Sequence, residues 1–349
     1  EIGVNVTALL GDTPCISTVM AKTRSSASFT AELKDFAGPA SFPICGAQIG
    51  IAADDVNAVG QSHTFTVSVE QKLGALTSPA PDGTDVDVTL TGANGASAVI
   101  TANSCDTDNP DPASVAVPKA NGTGTVNGTC AITFHSTTAG TITGSATATF
   151  TVGDEEKTVT TDGTGTNTGP AVKRFVDAKI TIGPDDTNSI GENHTFTVNV
   201  LQDDGLLATE GGDGVTGFTA PADGTPVTVT LTDSLGSTFS TSANTCISGT
   251  SSGSCSITFT SPTAGTVIGN ASTTFTLDGV SLTRDTDPAT TSIGARPGAS
   301  GPAEKDFVAG SLAWEKRQDS TTGALQGGAV FTVCRTHNLN TAPDPDTFV

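Results

Sequence analysis

"NHTFTVNV", residues 193–200, and "SHTFTVSV", residues 62–69, are almost one string written twice. Each alternates strictly, with Phe196, Val198 and Val200 on one face and Thr195, Thr197 and Asn199 on the other, the pattern of a half-buried β-strand. The duplication runs well beyond the strand. "IGIAADDVNAVGQSHTFTVSV" (49–69) aligns with "ITIGPDDTNSIGENHTFTVNV" (180–200), and "APDGTDVDVTLTGANGAS" (80–97) with "PADGTPVTVTLTDSLGST" (221–238). "GTCAITFHSTTAGTITGSATATFTVGD" (128–154) aligns with "GSCSITFTSPTAGTVIGNASTTFTLDG" (253–279), and the exit phrases "GPAVKRFVDAKI" (169–180) and "GPAEKDFVAGSL" (301–312) match as well. A copied unit of about 130 residues is large enough to bury a core of its own.

Within each unit about seven alternating segments are separated by "DG", "GANG", "SLG" and "TAG" turn signals, and no window carries a 3.6-residue period with helix caps. The expected fold class is all-β: tandem immunoglobulin-like β-sandwiches with partial β domains at both ends, a barrel of the same strands being the competing architecture. Phe65, Val67, Val69, Val86, Val88, Leu90, Ile132, Phe134 and Phe150 are expected to line the first core. Phe196, Val198, Val200, Val227, Val229, Leu231, Ile257, Phe259 and Phe275 are expected to line the second.

Composition narrows the function. Gly, Thr, Ser, Ala and Val dominate, tyrosine is absent, and one tryptophan is present. No apolar run is long enough to cross a membrane as a helix. A net charge of −21 with only 15 Lys and Arg argues against nucleic acid or anionic lipid as a partner, since both need clustered cations. The chain opens without a methionine or signal peptide and is read as an excerpt of a longer protein.

The cysteines fall as Cys15 and Cys45, Cys105 and Cys130, Cys246 and Cys255, with Cys334 left over. None forms CxxC, and no histidine lies at zinc-site spacing. Cys105 and Cys246 end one strand, in "TANSC" and "SANTC"; Cys130 and Cys255 open the next, in "CAITF" and "CSITF". Bridges there would stabilise by about 3.5 kcal/mol for the longer loop and about 2.7 kcal/mol for the shorter. Repeated pairing of this kind points to an oxidising, extracellular compartment. Cys334 is expected to find its partner past Val349.

The order "HTFTVNVLQDDG", "DGTPVTVTLTD", "CSITFTSPTAGT…GNASTTFT" resembles the bacterial Ig-like repeats of invasin- and adhesin-type surface proteins. The resemblance covers residues 48–308 and implies stiff stalk or display modules without catalytic residues. It leads to units at 48–175 and 176–308. Residues 1–47, with "EIGVNVTALL" and "SSASFTAELKDFAGP", look like the closing strands of a preceding extracellular β domain. Residues 309–349, with "GSLAWEKRQDSTTGALQGGAVFTVC", resemble the opening of a prealbumin-like domain of the pilin and collagen-adhesin type. That second resemblance implies that Lys316 is a candidate for an internal amide with a late-strand Asn or Asp, a reaction that needs a desolvated, neutral lysine. A plain solvated strand lysine, or a disulfide from Cys334, is the alternative there.

Residues able to do chemistry are few. His63 and His194 open the matching strands and are expected to be surface or strand-end residues, facing away from the core phenylalanines; His135 and His337 complete the set. No serine or cysteine nucleophile is placed beside them by any motif. "GTGTNTG" (163–169) lacks the lysine of a phosphate loop and reads as a flexible link. Asp54, Asp55, Asp185 and Asp186 stand at the same early turn of both units; calcium at the junctions is one use for them, capping of backbone amides the other. "DTDNPD" (106–111) bunches acceptors without the Gly and terminal Glu of an EF-hand loop. Five N-x-Ser/Thr sequons, at Asn5, Asn121, Asn127, Asn193 and Asn270, matter only in a glycosylating host.

The expected function is therefore non-enzymatic: an extracellular structural or stalk protein of a bacterial surface that displays or spaces an adhesive or assembly element. Cell wall, extracellular matrix and carbohydrate are the candidate partners. A loop-based carbohydrate- or protein-binding adhesin module, or accessory modules of a larger secreted enzyme, are the alternatives.

Overall fold

In the computed structural model, residue 15, residues 18–41 except 29, 45–107 except 52, 53 and 75, 122–289 and 300–310 are described, with a few isolated positions beyond. Strands β1 (Thr18–Arg24) and β2 (Leu33–Ser41) form a two-stranded antiparallel ribbon. The second strand expected near the start thus begins at Leu33, and Ser25–Ser28 is a bend instead. "EIGVNVTALL" lies outside the described residues.

The first sandwich follows. β3 (Cys45–Ile51), β4 (Asp55–Ala58), β5 (His63–Leu73), β6 (Leu76–Pro79), β7 (Val86–Ala93), β8 (Ala98–Asn103), β9 (Thr129–Ser136), β10 (Gly140–Val152), β11 (Glu155–Thr160) and the first half of β12 (Ala171–Gly183) make two sheets. One sheet runs β3-β5-β9-β8, with β6 beside β5. The other sets β7 and β12 against β10, with β11 continuing the β10 edge and β4 pairing β12. The second sandwich repeats the plan. Its sheets are the latter half of β12 with β14 (His194–Asp203), β17 (Ser254–Thr260) and β16 (Ser240–Asn244), and β13 (Asp186–Ser189) with β20 (Ala303–Val308), β18 (Gly265–Leu277) and β15 (Val227–Ser234). β19 (Val280–Asp285) pairs β18 as β11 pairs β10. Both copies carry a register shift at the same point, between Ile100 and Ala102 and between Thr241 and Ala243.

The fold is all-β, with one turn of 3-10 helix at Cys246–Ser248 among the described residues. The two faces close on separate cores. Phe65, Val67, Val69, Val86, Ile132 and Phe134 are fully buried in the first, and Phe196, Val198, Val200 and Phe259 in the second. Val229 and Leu231 are only partly covered, because β15 is the edge strand of its sheet; Phe275, also partly covered, lies near the β18–β19 turn and packs against Leu277 and Leu282 as well. Each core phenylalanine from the duplicated strand rests on a bare glycine backbone. A Cβ on Gly144 would lie 2.6 Å from the Phe65 ring, and one on Gly269 2.7 Å from Phe196.

Among the described residues three disulfides form: Cys15–Cys45, which ties the preceding segment to the start of β3, and Cys105–Cys130 and Cys246–Cys255, one inside each sandwich. The latter two span the connection between β8 and β9 and between β16 and β17. "GTGTNTG" is not a loose link. Thr168 donates its N–H to Ile49 O at 3.1 Å, and Ile49 and Ile51 donate theirs to Asn167 Oδ1 and Thr168 Oγ1 at 3.1 and 3.0 Å. The loop thereby covers the open edge of β3, the edge protection that a sheet needs in water. Gly269→Ala is expected to cost about 1–3 kcal/mol by driving a methyl group into Phe196, and Phe65→Ala about 3–5 kcal/mol by opening a cavity. Denaturant titrations of the single variants check both figures.

Candidate functional site

The first strand of each sandwich divides itself between the two sheets. β3 pairs antiparallel with β5; the chain then crosses, and β4 pairs in parallel with β12, setting Asp55 opposite Lys173. In the second repeat β12 pairs β14, and β13 then pairs in parallel with β20, setting Asp186 opposite Lys305. Each lysine sits two residues before a core phenylalanine, Phe175 or Phe307, and so shares its inward face. Both lysine side chains are completely removed from solvent.

Lys173 Nζ donates to Asp55 Oδ2 at 2.6 Å, and Lys305 Nζ lies 3.3 Å from Asp186 Oδ2. A histidine completes each cluster: His63 Nδ1 and His194 Nδ1 are both 3.7 Å from the aspartate oxygen of their own repeat. These rings are not surface groups. His63 packs edge-on to Phe65 and Phe134 with centroids 5.0 and 5.7 Å away, and His194 meets Phe196 and Phe259 at the same two distances. The expectation that they face away from the phenylalanines is overturned by the parity of the strand, since residues two apart share a face. His194 Nε2 lies 3.2 Å from Pro184 O, whereas His63 Nε2 is buried without a hydrogen bond.

Burial sets the electrostatics. It holds both imidazoles below the ordinary histidine value of 6.5, with a further push from the neighbouring lysine. Burial likewise lowers the Lys173 amine. The Asp55 carboxyl is held down chiefly by the hydrogen bond from Lys173, and Asp186 chiefly by the N–H of Thr187 and then by Lys305.

The four aspartates weighed for calcium have protein partners. Asp54 accepts from Val172 N at 2.9 Å and Asp185 from Glu304 N at 2.8 Å, while Asp55 and Asp186 face the lysines. Among the described residues no group of three or more His, Cys, Asp or Glu could hold a metal ion. Lys316 and Cys334 lie outside the described residues. The clusters bring together residues that lie far apart in the sequence, 118 positions for Asp55 and Lys173. The lysines stand at the same place in the two exit phrases, "VKRFV" and "EKDFV", where Lys-x-Phe alternation marks them as inward-facing.

A second built feature is the joint between repeats. β12 passes from one sandwich into the other without a break. Around it Ala58, Val176, Ala178, Leu277 and Leu282 form a small apolar cluster of their own. Arg284, buried, donates Nε–H to Ala178 O at 2.6 Å and pairs with Asp177. Arg174 reaches Asp278 Oδ2 at 2.6 Å and Asp204 O at 2.8 Å, and Asn94 crosses to Glu210 Oε2 at 2.6 Å. The tip between β10 and β11 repeats this reach toward the preceding segment, where Asp154 Oδ1 accepts from Cys15 N at 3.0 Å.

No protein-family model matches the chain, and no curated protein matches it. Among solved structures, the D00-D0 domain of Intimin is 12% identical with a TM-score of 0.32, covering 75% of this chain and 100% of that one. Domains 4-9 of the surface layer protein SbsC are 16% identical with a TM-score of 0.20, covering 77% of this chain and 34% of that one. At these scores the likeness carries no information about function.

The histidines make the repeats acid-sensitive in a defined window. A group whose folded value is depressed takes up its proton first in the unfolded chain, so stability is complete above 6.5 and declines as pH falls toward the folded value. Asp55 and Asp186 are lost only at lower pH, and Asp203, raised by burial, works in the opposite sense. Melting temperature is expected to drop between about pH 7 and about pH 5. His63→Gln with His194→Gln should flatten that stretch of the curve, and an unchanged slope would remove the histidines from the account.

Proposed function

We propose that this chain is a non-catalytic extracellular spacer, part of a bacterial surface stalk that holds an adhesive or assembly element away from the cell. In this reading residues 48–175 and 176–308 are the load-carrying units, 1–47 closes a preceding domain, and 309–349 opens the next. The observation that carries it is the joint. One strand serves both sandwiches, and a buried Arg284–Asp177 pair and an apolar cluster fix the angle between them. Catalysis and loop-borne binding have no need of such a joint, whereas a spacer does, because a free linker would let the units fold back on one another.

Two further features support the reading. The disulfides suit an oxidising compartment and resist loss of structure between encounters with other proteins. The excess of carboxylates keeps an exposed surface soluble and discourages association with anionic polymers.

The reading predicts a narrow distance distribution between spin labels, one on each sandwich, measured by pulsed electron resonance. Arg284→Ala leaves Asp177 buried without its partner, at a cost of about 3–5 kcal/mol, and should broaden that distribution. A wide distribution in the unaltered protein would end the spacer reading.

A further inference from the structure

The geometry points to Lys173 and Asp55, and to Lys305 and Asp186, as the two ends of an intramolecular amide bond in each repeat. Four observations converge on it. Both lysines are wholly buried, which is a costly state for an ammonium unless it is well paired. Lys305 Nζ, despite its carboxylate neighbour at 3.3 Å, makes no hydrogen bond. Each pair is held in parallel register by the strands that carry it, so the amine and the carboxyl meet without a search. The arrangement of lysine, aspartate and histidine occurs twice, with the histidine at 3.7 Å from the aspartate oxygen in both copies.

The chemistry balances within the cluster. The lysine ammonium and the aspartate carboxylate exchange one proton, which gives a neutral amine and a carboxylic acid. In the first repeat burial of the Lys173 amine favours that exchange, against the hydrogen bond that holds the Asp55 carboxyl down, and in both repeats a neutral imidazole beside the carboxyl relays the proton. The Nζ lone pair then attacks Cγ, an N–C bond forms, and the C–O bond to the hydroxyl breaks. One water leaves, carrying the hydroxyl and the second proton given up by nitrogen, and the amide keeps a single N–H. No oxidant or cofactor is consumed. The aspartates are about half exposed, with side-chain exposures of 55% and 50%, which gives the water a route out.

The bond would join the first strand of one sheet to its last, residues that are 118 positions apart in the first repeat. Tension applied through the chain enters and leaves a repeat by those two strands. An amide between them carries the load past the sandwich without unfolding it, which extends the spacer reading but does not rest on it.

Intact mass of the full chain, reduced and alkylated, tests the bond directly. Two waters fewer than the sequence mass are expected, with protease digestion yielding branched peptides that join the Asp55 segment to the Lys173 segment and the Asp186 segment to the Lys305 segment. Lys173→Arg keeps the positive charge and removes the nucleophile, so it should restore one water and erase only the first branched peptide. Lys305→Arg should do the same for the second. His63→Gln should lower the fraction closed in the first repeat, and undiminished closure would remove histidine from the relay. An unaltered protein at its full sequence mass, or a mass loss mapped to other residues, would overturn the proposal. A loss of one water would overturn it for the repeat whose branched peptide is missing.

Discussion

In each repeat the last strand lies parallel to the second half of the first strand, and the rest of the structure depends on that pairing. It closes the second sheet, since β4 and β13 would otherwise leave β12 and β20 with an open edge. It also places a lysine where alternation demands a core residue. The side chain can be tolerated there only because a carboxylate stands opposite it on the neighbouring strand. Removal of that carboxylate would leave an unpaired ammonium buried on the face that the lysine shares with Phe175 or Phe307.

The same strand economy builds the joint. β12 ends one sandwich and begins the next, so the angle between the units is set by backbone hydrogen bonds on both sides of Val176 and Asp177. The side chains around it then divide the work. Apolar groups from β4, β12 and the β18–β19 hairpin exclude water, and Arg284 satisfies both a carbonyl and a carboxylate inside the seal. The hairpin tip that reaches back in the second repeat has an equivalent in the first, with Asp154 against Cys15. One construction rule therefore serves both ends of the first repeat.

Much of the fold was legible in the residues. "HTFTV" alternation and the doubled cysteine phrases give the strand faces, the repeat and two of the bridges, because period-2 patterning reports directly on which side of a sheet is buried. The candidate site was harder to see. A lysine on an inward face contradicts the usual rule for charged groups, and its justification is an aspartate more than a hundred residues away. The parity of His63 with Phe65 and of His194 with Phe196 places both rings on the inward face, whereas their polarity alone argues for the surface. The joint was invisible for a different reason. Arg284 and Asp177 lie in separate strands whose pairing partners decide their approach, and local patterning has no access to that distance.

The central claim, that each sandwich is clasped between its first and last strands, is tested most directly by pulling a single molecule from its two ends under reducing conditions. Clasped repeats keep the stretch from Asp55 to Lys173, 118 positions apart, and the matching stretch of the second repeat from extending, so neither should contribute a lengthening step. Two steps of about 400 Å each, the span of that many residues drawn straight, would show that the strands separate and would contradict the account.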